Sequence, residues 1–543
     1  MHRRIRGRLR LAPLAMSGVL GLALGQPVAA QPAGTPPTVA PDTPVTALDL
    51  RLAEAKNSPA VVVDPTNPAF AALAYRVDAQ QFRCGLEVSA DGGRTWTAAR
   101  PVAKLPAGAE RCYAPEVAFD RTGRLHYLFV GLHTTGNTPM GVFLTSSDNH
   151  GKSFSTPRKI LGADVFGVRM AIDPTLGENG RIHVAWIQTS SPPGLGSFPP
   201  PPNPVLTAYS DDLGKTFSAP VQVSDRERQR VVAPALTIGA DHAVHVLYYD
   251  LGEDQRDYHN LEGPVWEGLW SLVLATSRDA GKTYERGVLV DGEVVPPEKV
   301  MLIFTMPPAS LATDPKGGVY VGWYDARNGD WDILLRRSAD AGRTWSEPRR
   351  VNDDPARNGR HQYLPKVAIA PSGRVDVIFN DRRNDPRNVM TDVFYTWSTD
   401  GAGTFAPNVR LTSESFDSRV GAQYRAIQRA AGLTEPGGRL GLFSADDRVV
   451  AAWADTRLYA RSPDDPPDLA PSAADQDVWA AEVNFGPRRD LAMPAEDRSN
   501  GPLIAGVAGG VVLLGAAGWA LRRRSRSPEA PGTKPTTEPA TEL

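Results

Sequence analysis

Six copies of one octapeptide constrain what this chain can fold into. The form Ser-x-Asp-x-Gly-x-Thr-aromatic stands at Ser89 to Trp96, Ser210 to Phe217, Ser277 to Tyr284 and Ser338 to Trp345. Two looser copies join them. Ser147 to Phe154 carries Asn149 for Asp and Ser153 for Thr, and Ser398 to Phe405 carries Ala402 for Gly. Each copy reads as a tight turn between two short strands. Its Ser and Asp side chains bond nearby backbone N–H groups, its Gly supplies a positive φ, and its aromatic packs beneath the loop. Successive copies begin 58, 63, 67, 61 and 60 residues apart. A period that steady, in a chain rich in short strands, means radial or stacked repeats.

A second repeat, an inner strand, a turn and another strand, lies between these turns. It runs from Pro115 to Tyr127, Pro308 to Trp323 and Pro365 to Phe379, with looser versions at 60–75, 169–186, 234–249 and 440–453. Seven strand pairs thus stand against six turns, and the last unit still supplies a third strand, Asp477 to Val483. The expectation is an all-β, seven-bladed propeller over residues 45–486. Val45 to Arg51 is the segment available to return as the missing outer strand. Six blades is the alternative, if the first or last unit is degenerate.

The octapeptide resembles the Asp box of the sialidase (neuraminidase) superfamily and related BNR-repeat propellers. Six copies at blade spacing specify the fold far more strongly than the reaction, because sites are grafted on folds.

The ends of the chain read differently from its middle. Five arginines among the first ten residues, an apolar Leu11 to Leu24 and the small-residue Val28-Ala-Ala30 mark residues 1–30 as a secretory signal, with an uncleaved anchor as the alternative. Residues 31–44, rich in Pro, Thr and Ala, read as a flexible leader. After a juxtamembrane linker at 487–501, residues 502–521 carry no charge, and Arg522 to Arg526 hold four arginines. That pattern predicts a transmembrane helix with the propeller extracellular and residues 522–543 as a cytoplasmic tail.

Only Cys84 and Cys112 are present. In an exported chain two cysteines are most simply a disulfide. A net charge of −2 gives no basic field for nucleic acid. Nothing in the sequence points to a nucleotide, flavin or metal cofactor, with calcium at a loop such as Asp250 to Asp257 left open.

Strand order within a blade selects a working face. Turns between strands one and two, and the Asp-box turns between three and four, fall on one side. The long insertions Gln188 to Pro204, Asp250 to Trp270, Thr412 to Arg439 and Leu458 to Gln476 fall on the other, which is where repeat proteins bind. That face collects Arg111, Tyr113 and Glu116 entering the second blade, Arg169 the third, Arg230 the fourth, and His361 and Tyr363 the sixth. Asp325 with Arg327, Asp381 with Arg382 and Arg383, and Asp455 with Arg457 follow second strands. Their repetition marks them first as inter-blade salt bridges. Arg111, Arg169, Arg230, His361, Tyr363 and Arg382 are the substrate-binding candidates.

The sialidase resemblance implies a sugar carboxylate held by three arginines, an Asp that protonates the leaving group, and a Tyr nucleophile supported by a Glu. The family's first arginine opens the first blade in an Arg-Ile-Pro motif, but the matching place here is Asn57-Ser-Pro59. Downstream, Ala74-Tyr-Arg-Val-Asp78 resembles the stretch bearing the acid, so Asp78 becomes the catalytic candidate, grouped by position with Tyr113 and Glu116. Tyr424, in a helical stretch from Ala422 to Ala431, is a poor match to the nucleophile. Two readings follow. One is a membrane-anchored glycoside hydrolase of sialidase type. The other is a non-catalytic propeller, monomeric outside the membrane, that binds glycan, protein or wall polymer.

Overall fold

The computed structural model describes residues 36–46, 54–78, 82–100, 105, 108–109, 111–133, 138–193, 199–254, 266–296, 308–418, 437–458 and 476–486. The expected signal segment, the helical stretch at 422–431, the linker, the membrane span and the tail lie outside these residues. Among the described residues no helix is long and apolar enough to cross a membrane.

Seven antiparallel sheets follow one another along the chain; six carry their four blade strands in sequence order, and the seventh takes its outer strands from the N-terminal segment. Blade 1 comprises Ala55–Val63, Ala71–Asp78, Arg83–Ser89 and Thr97–Ala98. Blade 2 comprises Arg111–Phe119, Leu125–Leu132, Pro139–Ser147 and Arg158–Leu161. The inner strands of blades 3 to 7 are Val165–Asp173, Val231–Ile238, Ser310–Thr313, Gln362–Ile369 and Gly441–Ser444. Seven blades are therefore present, not six.

Second strands read as continuous apolar runs because neighbouring blades cover both faces of each sheet. Leu125–Leu132 is buried at every position, as are Val319–Asp325 and Arg448–Asp455. Trp186, Trp323 and Trp453 from these strands are among the largest fully buried side chains. Each fully buried residue of this kind contributes roughly 2 kcal/mol or more of transfer free energy.

The boxes explain their own sequence. In all six, the Ser hydroxyl lies 2.7–3.0 Å from the third residue's side-chain oxygen and accepts the fifth residue's N–H at 2.8–2.9 Å. Residues four and five both take positive φ. In the looser sixth box the glycine has moved one place: Gly401 adopts φ 69° and Ala402 adopts φ 67°. The second box reverses one donor. Asn149 Nδ2 donates to Ser153 Oγ at 2.9 Å, whereas in the fourth box Thr283 Oγ1 donates to Asp279 Oδ2 at 2.6 Å.

Each box also leans on the blade before it. A Cβ on Gly214 of blade 3 would lie 2.4 Å from Leu144 of blade 2, and one on Gly342 of blade 5 would lie 2.5 Å from Leu274 of blade 4. Gly93 of blade 1 faces Val450 of blade 7, which continues the pattern around the ring.

Closure begins earlier than the sequence suggests. Thr38–Val39 and Thr43–Pro44, within the expected flexible leader, pair with Asp477–Asn484 as the outer edge of blade 7. Val45 N–H adds a bond to the Val478 carbonyl at 2.8 Å, while residues 47–51 lie outside the described residues. A box links strands three and four covalently. Blade 7 takes its fourth strand from the far end of the chain and needs none, which is why six boxes serve seven blades.

Cys84 and Cys112 form a disulfide between the third strand of blade 1 and the inner strand of blade 2, with Cα atoms 5.7 Å apart.

Candidate functional site

Register places the candidates. Ala55 pairs with Asp78 at one end of blade 1, and Ala71 pairs with Ser89, the first residue of a box, at the other. The inner strands therefore start on the face away from the boxes, the face that carries the insertions.

Near that face five inner strands break register in the same way. Shifts fall between Asn57 and Ala60, Tyr113 and Glu116, Phe166 and Arg169, Val232 and Ala235, and Tyr363 and Lys366. Within each bulge one residue takes positive φ: Ser58, Ala114, Gly167, Ala233 or Leu364. A bulge lets two residues oppose one and re-aims the side chains that follow. Here the tier after the bulge, with Glu116, Arg169 and Lys366, lines an axial channel of about 200 Å³ to which all seven blades contribute.

Asp78 and Tyr113 are brought together through Arg76. Arg76 Nε lies 2.7 Å from Asp78 Oδ1, and its Nη2 donates to Oδ2 at 2.8 Å. Asn57 Nδ2 donates to that same Oδ2 at 3.0 Å. Arg76 Nη1 donates to the Tyr113 hydroxyl at 2.9 Å. The Asp78 side chain is only 2% exposed and the Arg76 side chain 8%. Burial pushes the Tyr113 phenol upward; Arg76 draws it the other way, and burial wins. A general acid must carry a proton at an oxygen within reach of the leaving group. Asp78 Oδ2 instead accepts from a guanidinium whose Nε stands beside Oδ1.

Glu116 is pinned from two sides. Its Oε1 accepts from Arg169 Nη1 at 3.2 Å and from Arg439 Nη1 in a short contact. Arg439 also donates to the carbonyls of Ser58, at 3.0 Å, and Pro115, at 2.6 Å. One side chain of blade 7 thereby ties blades 1 and 2 at the mouth of the channel.

The remaining candidates separate. Arg111 opens the blade 2 inner strand opposite Leu132. Arg230 precedes blade 4 and donates to the Asp254 carbonyl at 3.0 Å. His361 stacks on Trp331, ring centroids 4.5 Å apart, and burial with the nearby Arg382 charge pulls its pKa down to about 4. Tyr363 and Arg382 are enclosed within blade 6. Tyr363 is 0% exposed, and Arg382, 4% exposed, donates to Tyr363, Thr391 and Ser418 within blade 6. Packing between Tyr324 and Trp331 removes Tyr363 from the channel wall.

The Asp-x-Arg pairs are structural. Arg327 binds Asp325 and reaches Asp291 in the outer strand of blade 4, while Arg457 binds Asp455 and the closing segment's Asp42. Trp323 and Trp453 each donate an indole N–H to the same aspartates.

Lys366 and Arg439 are channel residues that the sequence pattern did not single out. One signal was available for Lys366: it follows Pro365 as Glu116 follows Pro115, which puts it in the same tier. Among the described residues no group of three or more His, Cys, Asp or Glu side chains is arranged to hold a metal.

Solved structures similar to this chain include a protein of unknown function from Dyadobacter fermentans, at 15% identity, covering 83% of this chain and 100% of that one, with TM-score 0.43. The Hadza microbial sialidase Hz136 is similar at 15% identity over 70% of this chain and 71% of its own, with TM-score 0.39. The phage phi92 endosialidase is similar at 11% identity over 86% and 71%, with TM-score 0.43. The fold rests on the chain's own six boxes and seven sheets. The chain is a seven-bladed β-propeller carrying six copies of the octapeptide. No family model matches this propeller, and no curated protein does.

Proposed function

We propose that the propeller recognises glycans at its insertion-bearing face and binds them without hydrolysis. One observation carries this reading: the Asp78 carboxylate, placed where a sialidase-type acid is expected, is locked in a two-point ion pair with Arg76. Asn57 stands where the family's first carboxylate-binding arginine would be and bonds Asp78 instead. Tyr113, with its phenol pushed up, lacks the activated state that a nucleophile needs at neutral pH. The charge-free run at 502–521, followed by Arg522 to Arg526, supports display on the outer side of a membrane.

The deciding experiment uses the full-length protein, purified in a mild detergent, against a glycan array and a matched panel of fluorogenic sialosides, arabinosides and other glycosides. Saturable binding with no turnover is expected. Turnover that disappears in Asp78→Ala would establish instead the retaining hydrolase, the reading favoured by the placement of Asp78 and Tyr113 on either side of Arg76.

A further inference from the structure

The axial channel carries an unbalanced charge that no part of the glycan reading uses. Among the residues lining it, four are charged: Glu116, Arg169, Lys366 and Arg439. Three cations therefore face one anion, a formal excess of two positive charges. The other lining residues are mostly apolar, with Val61, Met170, Leu236, Leu311 and Leu442 among them. Like charges in such a setting repel strongly, because the low local dielectric screens them poorly. The single carboxylate is already shared between Arg169 and Arg439. The Lys366 side chain has no hydrogen bond or ion pair to any described residue. We infer that the channel is a seat for a small oxyanion, a carboxylate or a phosphate-type group, held by Lys366, Arg169 and Arg439.

Three further features support the seat. Its cations come from blades 3, 6 and 7, so they converge on the axis rather than lying along one wall. Arg169 and Arg439 keep 21% and 18% of their side chains exposed and both line the channel. Their guanidinium groups suit oxyanions, offering planar, paired N–H donors. Burial and the two arginine charges pull Lys366 down to about 8, with Glu116 acting the other way. An anion bound beside it would restore its usual preference for the charged form. The seat also lies one tier below Asn57, on the far side of the bulge, and so differs from the position where the sialidase-type arginine would open blade 1.

Binding falls as pH rises through about 8, as Lys366 releases its proton. The groups that set this response are Glu116 on blade 2, Arg169 on blade 3 and Arg439 on blade 7, with Tyr113 and Tyr127 coupled to the arginines.

Calorimetric titration of the full-length protein in detergent, in low-salt buffer at pH 7, tests the seat with three probes: inorganic phosphate, glucuronate and the neutral methyl glucoside. At least one anion should bind saturably. Phosphate binding more tightly than glucuronate assigns a phosphate-type ligand; the reverse order assigns a carboxylate. Lys366→Met should weaken that binding about tenfold or more, the loss expected of one charged donor. Glu116→Gln should tighten it several-fold, because it removes the competing anion while preserving the side chain's shape. A merely structural ion-pair cluster would not produce that opposite sign. If Lys366→Met fails to fold, Lys366→Gln and the pH profile of the wild type carry the same test. Absence of saturable anion binding, or weaker binding by Glu116→Gln, overturns the seat. Methyl glucoside binding without anion binding would overturn it too, while leaving the glycan reading intact.

Discussion

Arg76 and Asp78, two residues apart on one strand, face each other in a buried two-point ion pair. The pair turns a residue that resembles a catalytic acid into the anchor of a guanidinium, and that guanidinium in turn orients Tyr113. Removing one partner of such a pair leaves the other charged and buried, at a cost of about 3 kcal/mol or more. Asp78→Ala should therefore lower unfolding stability by about 3 kcal/mol, and Asp78→Asn by less. Urea unfolding followed by tryptophan fluorescence measures both. A neutral effect of Asp78→Ala would remove the structural role assigned here.

The boxes make stability sensitive to acid. Thr344, Ser338 and backbone N–H groups hold the Asp340 carboxylate below its usual range; in Asp212 and Asp279 similar bonds outweigh burial and draw the pKa down to about 2. A depressed native pKa gives stability that is fully present above the unfolded value, near 4, and is lost as pH falls toward 2. The stability gap between wild type and Asp279→Ala should thus be constant from pH 7 to about 5 and shrink below 4. Parallel unfolding curves at pH 7, 4 and 3 check this, and a gap unchanged at pH 3 would refute it.

The Cys84–Cys112 bridge closes a loop with a sequence separation of 28 residues. Chain-entropy arguments give such a loop about 3.5 kcal/mol. The double variant Cys84→Ser, Cys112→Ser should lose about that much in denaturant unfolding, and reductant should then have no further effect on it.

Ring closure rests on the segment at 36–46. Deleting it exposes the edge of Asp477–Asn484 and removes Asp42 from Arg457. Unpaired edges invite association. The truncated protein should unfold at a lower temperature and aggregate on size-exclusion chromatography. A deletion variant that melts like wild type as a single species would contradict the closing role.

The blade count was legible because each box carries its chemistry in consecutive residues, and strands two read as unbroken apolar runs. The closing segment was harder to see. Thr38-Val39 and Thr43-Pro44 are too short for any periodicity, and they pair with a strand more than 430 residues away. In the site, Asp78, Tyr113 and Glu116 lie toward the ends of their strands away from the boxes, a position that strand order already gives. What each side chain bonds was hidden. Arg76 turning toward Asp78 along its own strand, and Arg439 crossing from blade 7 to Glu116, are side-chain contacts that sequence spacing alone does not show. Tyr363 occupies the same bulge position as Tyr113, yet Trp331 and Tyr324 enclose it. The difference lies in the neighbouring blade.

Because the last strand of blade 7 lies between two partners, a pull on the chain beyond residue 486 enters the ring through Asp477–Asn484. Arg448–Asp455 runs along one side and the two closing strands along the other, both antiparallel to it. Tension along that strand shears many hydrogen bonds at once instead of peeling them singly. A propeller held by its C-terminal end is thus loaded in shear across two ladders, and the same N-terminal segment that seals the ring shares the load.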